Sequence, residues 1–370
     1  MKLKPSKMAQ FFAQHEFTAP YILCSSDCES FSVEDLLKFE PSAREELLSL
    51  HLGYTESLGC PELRTQIASL YNNASSDEIL VHTGSIEAIF NFMNVVLAPG
   101  DEIVIHSPYY QALGEVACGI GAHVIEWKAD PERFWELDLG VLEDKLTDNT
   151  KVVVVNFPHN PTGFLPSLEF MVELSRLSEE RGFLVFSDEI FRGLEYDPGH
   201  RLPAFAELTS QGISLGGMSK TYGLAGLRIG WIVSHNEDLL HKIALFKDYT
   251  TICNSATSEF FATLALRHRD AIFERNLKII RKNLNDLNSF FNRHTQLFNW
   301  NEPKAGPIAF PQYSGGSVDH FCQQLLQSKG VLLYPGTLVR KEFNCFRIGF
   351  GRADMTACLK RLEQFIESFG

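Results

Sequence analysis

Two charged side chains in one glycine-rich run set the chemistry open to this chain. In Ser214-Leu-Gly-Gly-Met-Ser-Lys220-Thr-Tyr-Gly-Leu-Ala-Gly-Leu-Arg228-Ile-Gly-Trp231, a lysine sits among small residues and an arginine follows eight positions later. Glycines at 216, 217, 223 and 226 let the backbone approach a bound group closely, which places the lysine against a cavity rather than open water. A lysine taken partly out of water has a lowered pKa, and its amine becomes nucleophilic enough to form an imine. The arginine is permanently charged and planar and suits a phosphate. Taken alone, the stretch also reads as a glycine-rich turn carrying a surface lysine. A P-loop is excluded, because Ser219 rather than glycine precedes the lysine and the upstream glycine spacing is missing.

Further candidates stand where strands are predicted to end. The apolar run Ile79-Leu-Val-His passes through Thr83-Gly84-Ser85 into a helical pattern, which aims free N–H groups and the positive end of a helix at one point. That is the outline of an anion site, although Gly and Ser at such a turn also occur for conformational reasons alone. Glu102-Ile-Val-Ile-His leads to Ser107-Pro-Tyr-Tyr110. Lys151-Val-Val-Val-Val-Asn156 is closed by Phe157-Pro-His-Asn160-Pro-Thr-Gly163, a turn that holds Asn160 near the carboxyl edge of a sheet, where open α/β sheets bind ligands. Gly182-Phe-Leu-Val-Phe-Ser-Asp188-Glu189 ends on two carboxylates; one is an ordinary turn cap, and the second strengthens the case that one is functional. Tyr54, on the glycine-bounded loop before Pro61, reads by itself as a half-buried packing residue.

These positions have to be carried by a scaffold, and the chain alternates apolar strands with helical patterns up to about residue 255. That alternation argues for a mostly parallel sheet covered on both faces. Beyond Ser255 comes long helical periodicity to Asn292. Strand-like segments follow at 296–300, 307–311, 331–334 and 343–350, with helices near 317–329 and 354–368. The expected organisation is an N-terminal arm at 1–40 packing with the small domain, a large domain at 41–255 and a small α+β domain at 256–370.

With 33 basic against 46 acidic residues among 370, the net charge of −13 disfavours a nucleic-acid surface and attraction to anionic membrane. An anionic substrate therefore needs local arginines. The N-terminus has basic residues but no continuous apolar segment, and no later run reaches membrane-spanning length, so a cytoplasmic protein is expected. The eight cysteines form no CxxC pair and no histidines stand at ligand spacing, so reduced, mostly buried thiols and no metal are expected.

Asn160-Pro-Thr-Gly163, Asp188-Glu189, Ser219-Lys220 through Arg228-Ile-Gly-Trp231 and Phe346-Arg347-Ile-Gly-Phe stand in one order and spacing. In this the chain resembles the class I/II aminotransferases of the fold-type I pyridoxal-phosphate enzymes, from about Tyr54 to Arg352. The resemblance implies an α/β fold-type I architecture: a large, mostly parallel domain with a sheet of about seven strands and helices on both faces, plus a smaller α+β domain. It implies pyridoxal 5′-phosphate as cofactor, α-amino acid and 2-oxo acid substrates, and a homodimer. Lys220 would form the imine with the cofactor and shuttle the proton, Asp188 would pair with the pyridinium, and Asn160 would bond the phenolate oxygen beside the substrate. Tyr110 would stack on the ring. Gly84, Ser85, Ser219 and Arg228 would hold the phosphate, Arg347 would clamp the substrate α-carboxylate, and Tyr54 would reach the neighbouring subunit's phosphate.

The chain also departs from the family pattern. Phe191 stands where a tyrosine is usual, Gly217 where serine is frequent, and Ser25-Ser-Asp27-Cys28-Glu29 does not match the usual segment there, which leaves substrate recognition on that side open. Val153-Val-Val-Asn-Phe-Pro-His-Asn-Pro, Phe191, Ile308-Ala-Phe-Pro and Gly330-Val-Leu-Leu-Tyr-Pro-Gly are similar to a branch of the family, the capreomycidine synthases, which dehydrate and cyclise a hydroxyarginine. The alternative to transamination is therefore β-elimination with ring closure or replacement. A pyridoxal-fold protein that binds ligand without turnover is a third possibility.

Overall fold

The computed structural model describes residues 1–368. Its strands are β1 (Tyr21–Ile22), β2 (Ile79–His82), β3 (Glu102–Ser107), β4 (His123–Lys128), β5 (Thr150–Asn156), β6 (Leu184–Asp188), β7 (Gly212–Gly217), β8 (Gly230–Val233), β9 (Phe298–Asn299), β10 (Ile308–Ala309), β11 (Gln312–Tyr313), β12 (Val331–Leu332), β13 (Tyr334–Pro335) and β14 (Phe346–Gly349). Seven of them build a central sheet in the order β2-β8-β7-β6-β5-β3-β4. β8 runs antiparallel to both neighbours and the remaining pairings are parallel, which is the mostly parallel seven-stranded sheet expected.

The valine run of β5 shows why these strands carry no polar face. Val152 and Val154 pack with Ala88, Phe92 and Leu113 from the helices Ser85–Val96 and Gln111–Ile120, whereas Val153 and Val155 pack with Met171 and Leu174 of the helix Leu168–Arg181. Alternate residues face opposite sides of a strand, so a strand covered on both faces must be apolar throughout. Each such side chain contributes about 1.5–3 kcal/mol by leaving water.

The sheet also brings distant residues to one edge. Asn156 and Asp188 are paired in register at the ends of β5 and β6. β2, β3 and β7 end on the same side, followed by Thr83-Gly84-Ser85, Pro108-Tyr109-Tyr110 and Met218-Ser219-Lys220. Because β8 is reversed, Arg228, two residues before it, returns to that same edge. Gly230 at its start is required by proximity, since a Cβ there would overlap the backbone of Ser85.

The C-terminal elements enclose a core of Leu277, Ile280, Phe290, Phe321, Phe346 and Leu362, which Leu23 and Cys28 of the N-terminal segment and Phe191 also enter. β1 pairs with β12, Tyr21 opposite Val331. Other sequence expectations need correction. The segment 331–334 is not one strand: it divides at Leu333, because β12 serves β1 while β13 pairs with β14. β8 starts at Gly230, after a 3₁₀ turn at Ala225–Leu227 and a left-handed Arg228 at φ 52°. Between β4 and β5 stands the short helix Leu139–Glu143. The helical stretch after Ser255 is broken at His268 into Ala256–Arg267 and Arg269–Arg293. The expected small domain ends two residues beyond the described chain.

Candidate active site

A cavity of about 400 Å³ opens at the carboxyl edge of the sheet. Ser85, Tyr110, Asn160, Asp188, Ser219, Lys220, Arg228 and Arg347, all singled out in the sequence, line it. Gly84 borders it against Arg228: a Cβ on Gly84, at φ 83°, would stand 2.5 Å from Arg228 Nη2. Tyr54 is elsewhere. It is 89% exposed on its loop and borders a separate groove with Asn254 and Ser255.

At one end, the helix Ser85–Val96 starts at Gly84 without a side-chain cap, so its first N–H groups remain available to an anion. Ser85 Oγ donates to Gly216 O at 2.9 Å. The space a side chain on Gly217 would take is filled by Ser85 Oγ and the Ile190 side chain, which accounts for glycine where the family often has serine. Arg228 sits across from the helix start. Its left-handed backbone costs a non-glycine residue about 1–2 kcal/mol, a strain of the kind found at ligand sites.

In the middle lies Asp188. Its carboxylate accepts one hydrogen bond, from the Ile190 N–H at 3.2 Å, and burial pushes its pKa up to about 7, with Glu189 adding to the rise and Lys220 opposing it. Asn156 organises this region: its Nδ2 donates to Asp188 O at 2.7 Å and its Oδ1 accepts from the Asn160 N–H at 2.7 Å. Lys220 Nζ donates to Ser26 Oγ at 2.9 Å. Burial lowers the pKa of this amine most; Asp27 and Asp188 raise it, while Arg347 and Arg352 lower it. Phe191, 1% exposed, forms part of the wall and presents no hydroxyl.

At the other end Arg347 is buried at 1% exposure with no ion-pair partner among the described residues. Its Nε donates to Cys24 O at 3.1 Å and its Nη1 to Asn160 Oδ1 at 3.3 Å, while the rings of Tyr334 and Phe12 lie 5.2 and 5.7 Å from the guanidinium carbon. A guanidinium without a counter-ion in such surroundings is suited to receive a carboxylate.

Several lining residues had not been recognised as site residues from the sequence. Asn156 carried a signal, as the one polar end of an apolar run two strands' breadth from Lys220. Met8, Phe12 and Glu16 come from the helix Lys7–His15 and its C-terminal cap, and Ser25, Ser26 and Asp27 from the segment after β1. Their approach depends on the pairing of β1 with β12, for which the local sequence has no marker.

The residues fit pyridoxal 5′-phosphate by their own unmet needs. Asp188 is a buried carboxylate without a cation, Lys220 a buried amine with one hydroxyl partner, and Ser25 Oγ a buried hydroxyl with no hydrogen-bond partner. The uncapped helix start and Arg228 provide the anion end. No group of metal-ligating side chains occurs among the described residues, nor is any of their helices long and apolar enough to cross a membrane.

The family described as aminotransferase class I and II matches residues 22–368 of this chain. Among curated proteins the chain is 30% identical to capreomycidine synthase of Streptomyces vinaceus over 94% of its own length and 90% of that protein's. Among solved structures it superposes on a PLP-dependent aminotransferase from Streptococcus suis 89-1591 with a TM-score of 0.94 at 29% identity, covering 100% of this chain and 99% of that one. It also superposes on the PLP-dependent cyclase OrfR with a TM-score of 0.90 at 28% identity, again covering 100% and 99%.

Proposed function

The chain belongs to the class I and II aminotransferases and is a pyridoxal-phosphate-dependent transaminase, and from that premise we propose how its residues divide the work. The observation that carries the proposal is the convergence of Lys220, Asp188 and the unpaired Arg347 on one cavity. Pyridoxal 5′-phosphate, when bound, supplies an aldehyde that captures an amine and a pyridinium that accepts the electron pair left at Cα. Arg347 takes the α-carboxylate of an amino acid in two-pronged fashion, with Asn160 held beside it, and so presents Cα to the lysine. Lys220 Nζ would take the Cα proton as general base and give it, as general acid, to the carbon that was the cofactor's aldehyde, the shift by which transamination differs from racemisation. Burial lowers its pKa, which favours the free amine that base catalysis needs. Asp188 would supply the negative charge that keeps a bound pyridine nitrogen protonated. Gly84, Ser85, Ser219 and Arg228 would hold the phosphate, and Tyr110 would cover the ring face.

Phe191 favours a second reading. With no phenol at that position, Asn160 is the side chain left to donate to the cofactor's phenolate oxygen. The same position and the relatives named a synthase and a cyclase support β-elimination with ring closure or replacement as the alternative. Incubating the purified holoenzyme with a panel of amino acids, without an acceptor, separates the two. Transamination is expected to release a stoichiometric 2-oxo acid and leave the amino group on the cofactor. Continuous turnover with loss of ammonia or water, and no amino group retained, would replace it with the alternative.

A homodimer accords with the exposed apolar side chains Leu48, Leu52, Tyr54, Tyr249 and Ile252, at 77, 79, 89, 91 and 51%. In it Tyr54 would reach the partner's phosphate. Light scattering is expected to return twice the chain mass, and a single-chain mass at working concentration would remove this part. The division into an arm at 1–40, a large domain at 41–255 and a small one at 256–370 is the organisation we adopt. A cytoplasmic setting is supported by eight cysteines standing as free thiols.

A further inference from the structure

The segment Cys24-Ser-Ser-Asp-Cys-Glu29 is a part of the cavity wall to which no work has been assigned. It crosses the carboxyl edge of the sheet as a strap fixed from two sides. Toward the C-terminal unit, the Gly349 N–H donates to Leu23 O at 2.9 Å and the Glu29 N–H to Gly351 O at 2.8 Å. Arg352 grips Asp27 through Nε at 3.2 Å and Nη2 at 2.9 Å. A Cβ on Gly349 or Gly351 would overlap the backbone of Ser25 or Asp27, so the strap lies directly on β14 and the turn after it. Toward the lysine loop, the Cys28 N–H donates to Lys220 O at 3.3 Å, and Arg275 Nη1 donates to Glu29 O at 2.8 Å. The backbone of residue 26 is therefore set relative to Lys220 by contacts that do not use the Ser26 side chain.

From that frame Ser26 Oγ, in a residue 8% exposed, accepts the hydrogen bond from Lys220 Nζ. We propose that Ser26 is a positioning residue for Lys220, its hydroxyl receiving the amine whenever an incoming substrate amine releases it. A released lysine has four side-chain torsions to explore, and a single fixed acceptor confines it to the geometry needed for proton transfer. The groups around that amine are Asp27 and Asp188 on one side of the charge balance and Arg347 and Arg352 on the other. Asp27 is held by Arg352, which leaves the uncharged Ser26 as the direct partner. Lys220 donates to it as ammonium or as free amine, so the contact survives each proton transfer. The role in turnover rests on the transaminase reading; the contact itself rests on the distance alone.

The test compares wild type with Ser26→Ala and Ser26→Thr. In the cofactor-free proteins, reductive methylation at a series of pH values, read by mass spectrometry of the peptide carrying Lys220, gives the titration midpoint of that amine. Loss of an acceptor that favours the ammonium is expected to lower the midpoint in Ser26→Ala by about one pH unit, with Ser26→Thr close to wild type. In the holoenzyme, Ser26→Ala is expected to slow the first half-reaction by about ten- to a hundredfold with amino-acid affinity within about twofold, and Ser26→Thr to restore it. An unchanged midpoint in Ser26→Ala would overturn the proposal. So would a parallel loss of rate and affinity, which would mean that the strap had moved. A shifted midpoint in a protein that transaminates no amino acid would support the contact and remove the transaminase reading.

Discussion

Lys220→Ala is expected to lower transamination by roughly 10³- to 10⁴-fold while the fold is retained. Lys220 is the one amine lining the cavity; the other cations there are the guanidinium groups of Arg228 and Arg347, which do not give up a proton. Neither can form the imine or act as base. Two readouts besides turnover follow: the visible absorption of the bound cofactor should be lost, and borohydride should fix no cofactor mass on the peptide containing residue 220. Circular dichroism should match wild type, because the side chain makes a single hydrogen bond, to Ser26. A variant that still fixes cofactor at another lysine would show that the imine forms elsewhere.

Asp188→Asn has the second largest expected effect, and its sign reverses between the two states of the protein. In the holoenzyme the substitution removes the anion from a buried charge pair, worth about 3–5 kcal/mol, so turnover should fall roughly 150- to 5,000-fold for every amino acid tried. In the cofactor-free protein the carboxyl stands at about 7 in the folded chain against the ordinary 3.8, because burial disfavours its charge. The folded chain then binds a proton that the unfolded chain releases. The stability from this group is fully present below about 3.8 and is lost as pH rises through about 7. Asparagine has no charge to desolvate, so cofactor-free Asp188→Asn should be more stable than wild type at pH 8, by up to about 4 kcal/mol, with the gap shrinking as pH falls toward 4. Urea unfolding at several pH values measures it. Equal stability at pH 8 would mean that Asp188 is better solvated than its burial implies.

Both substitutions fall on residues that the sequence makes legible, for a common reason. Lys220, Asp188, Asn160 and Ser85 sit just beyond apolar strands, where a run of core residues stops and turn residues begin, so the change of texture marks them. The central sheet was readable in the same way, since strands buried on both faces cannot hide among polar neighbours. What was not legible depends on pairings between distant segments. Ser26 and Asp27 join the site because β1 lies beside β12. A two-residue strand such as β1 has no periodicity to recognise, and its place is decided by a partner far along the chain. The single strand expected at 331–334 failed on the same ground, because its two halves answer to different partners.

The pairing of β1 with β12 also bears on how the protein is made. Tyr21 and Val331 lie roughly 300 positions apart, so at ribosomal speeds of about 5–20 residues per second the first strand emerges on the order of 15–60 s before its partner exists. During that interval the apolar Tyr21-Ile-Leu23 has no sheet to join, while each strand from β3 to β8 has a partner among the strands next to it in the chain. The wall that faces the lysine is thus the last to be closed, and during synthesis the edge of the nascent sheet lies open to a small molecule before the enzyme can retain one.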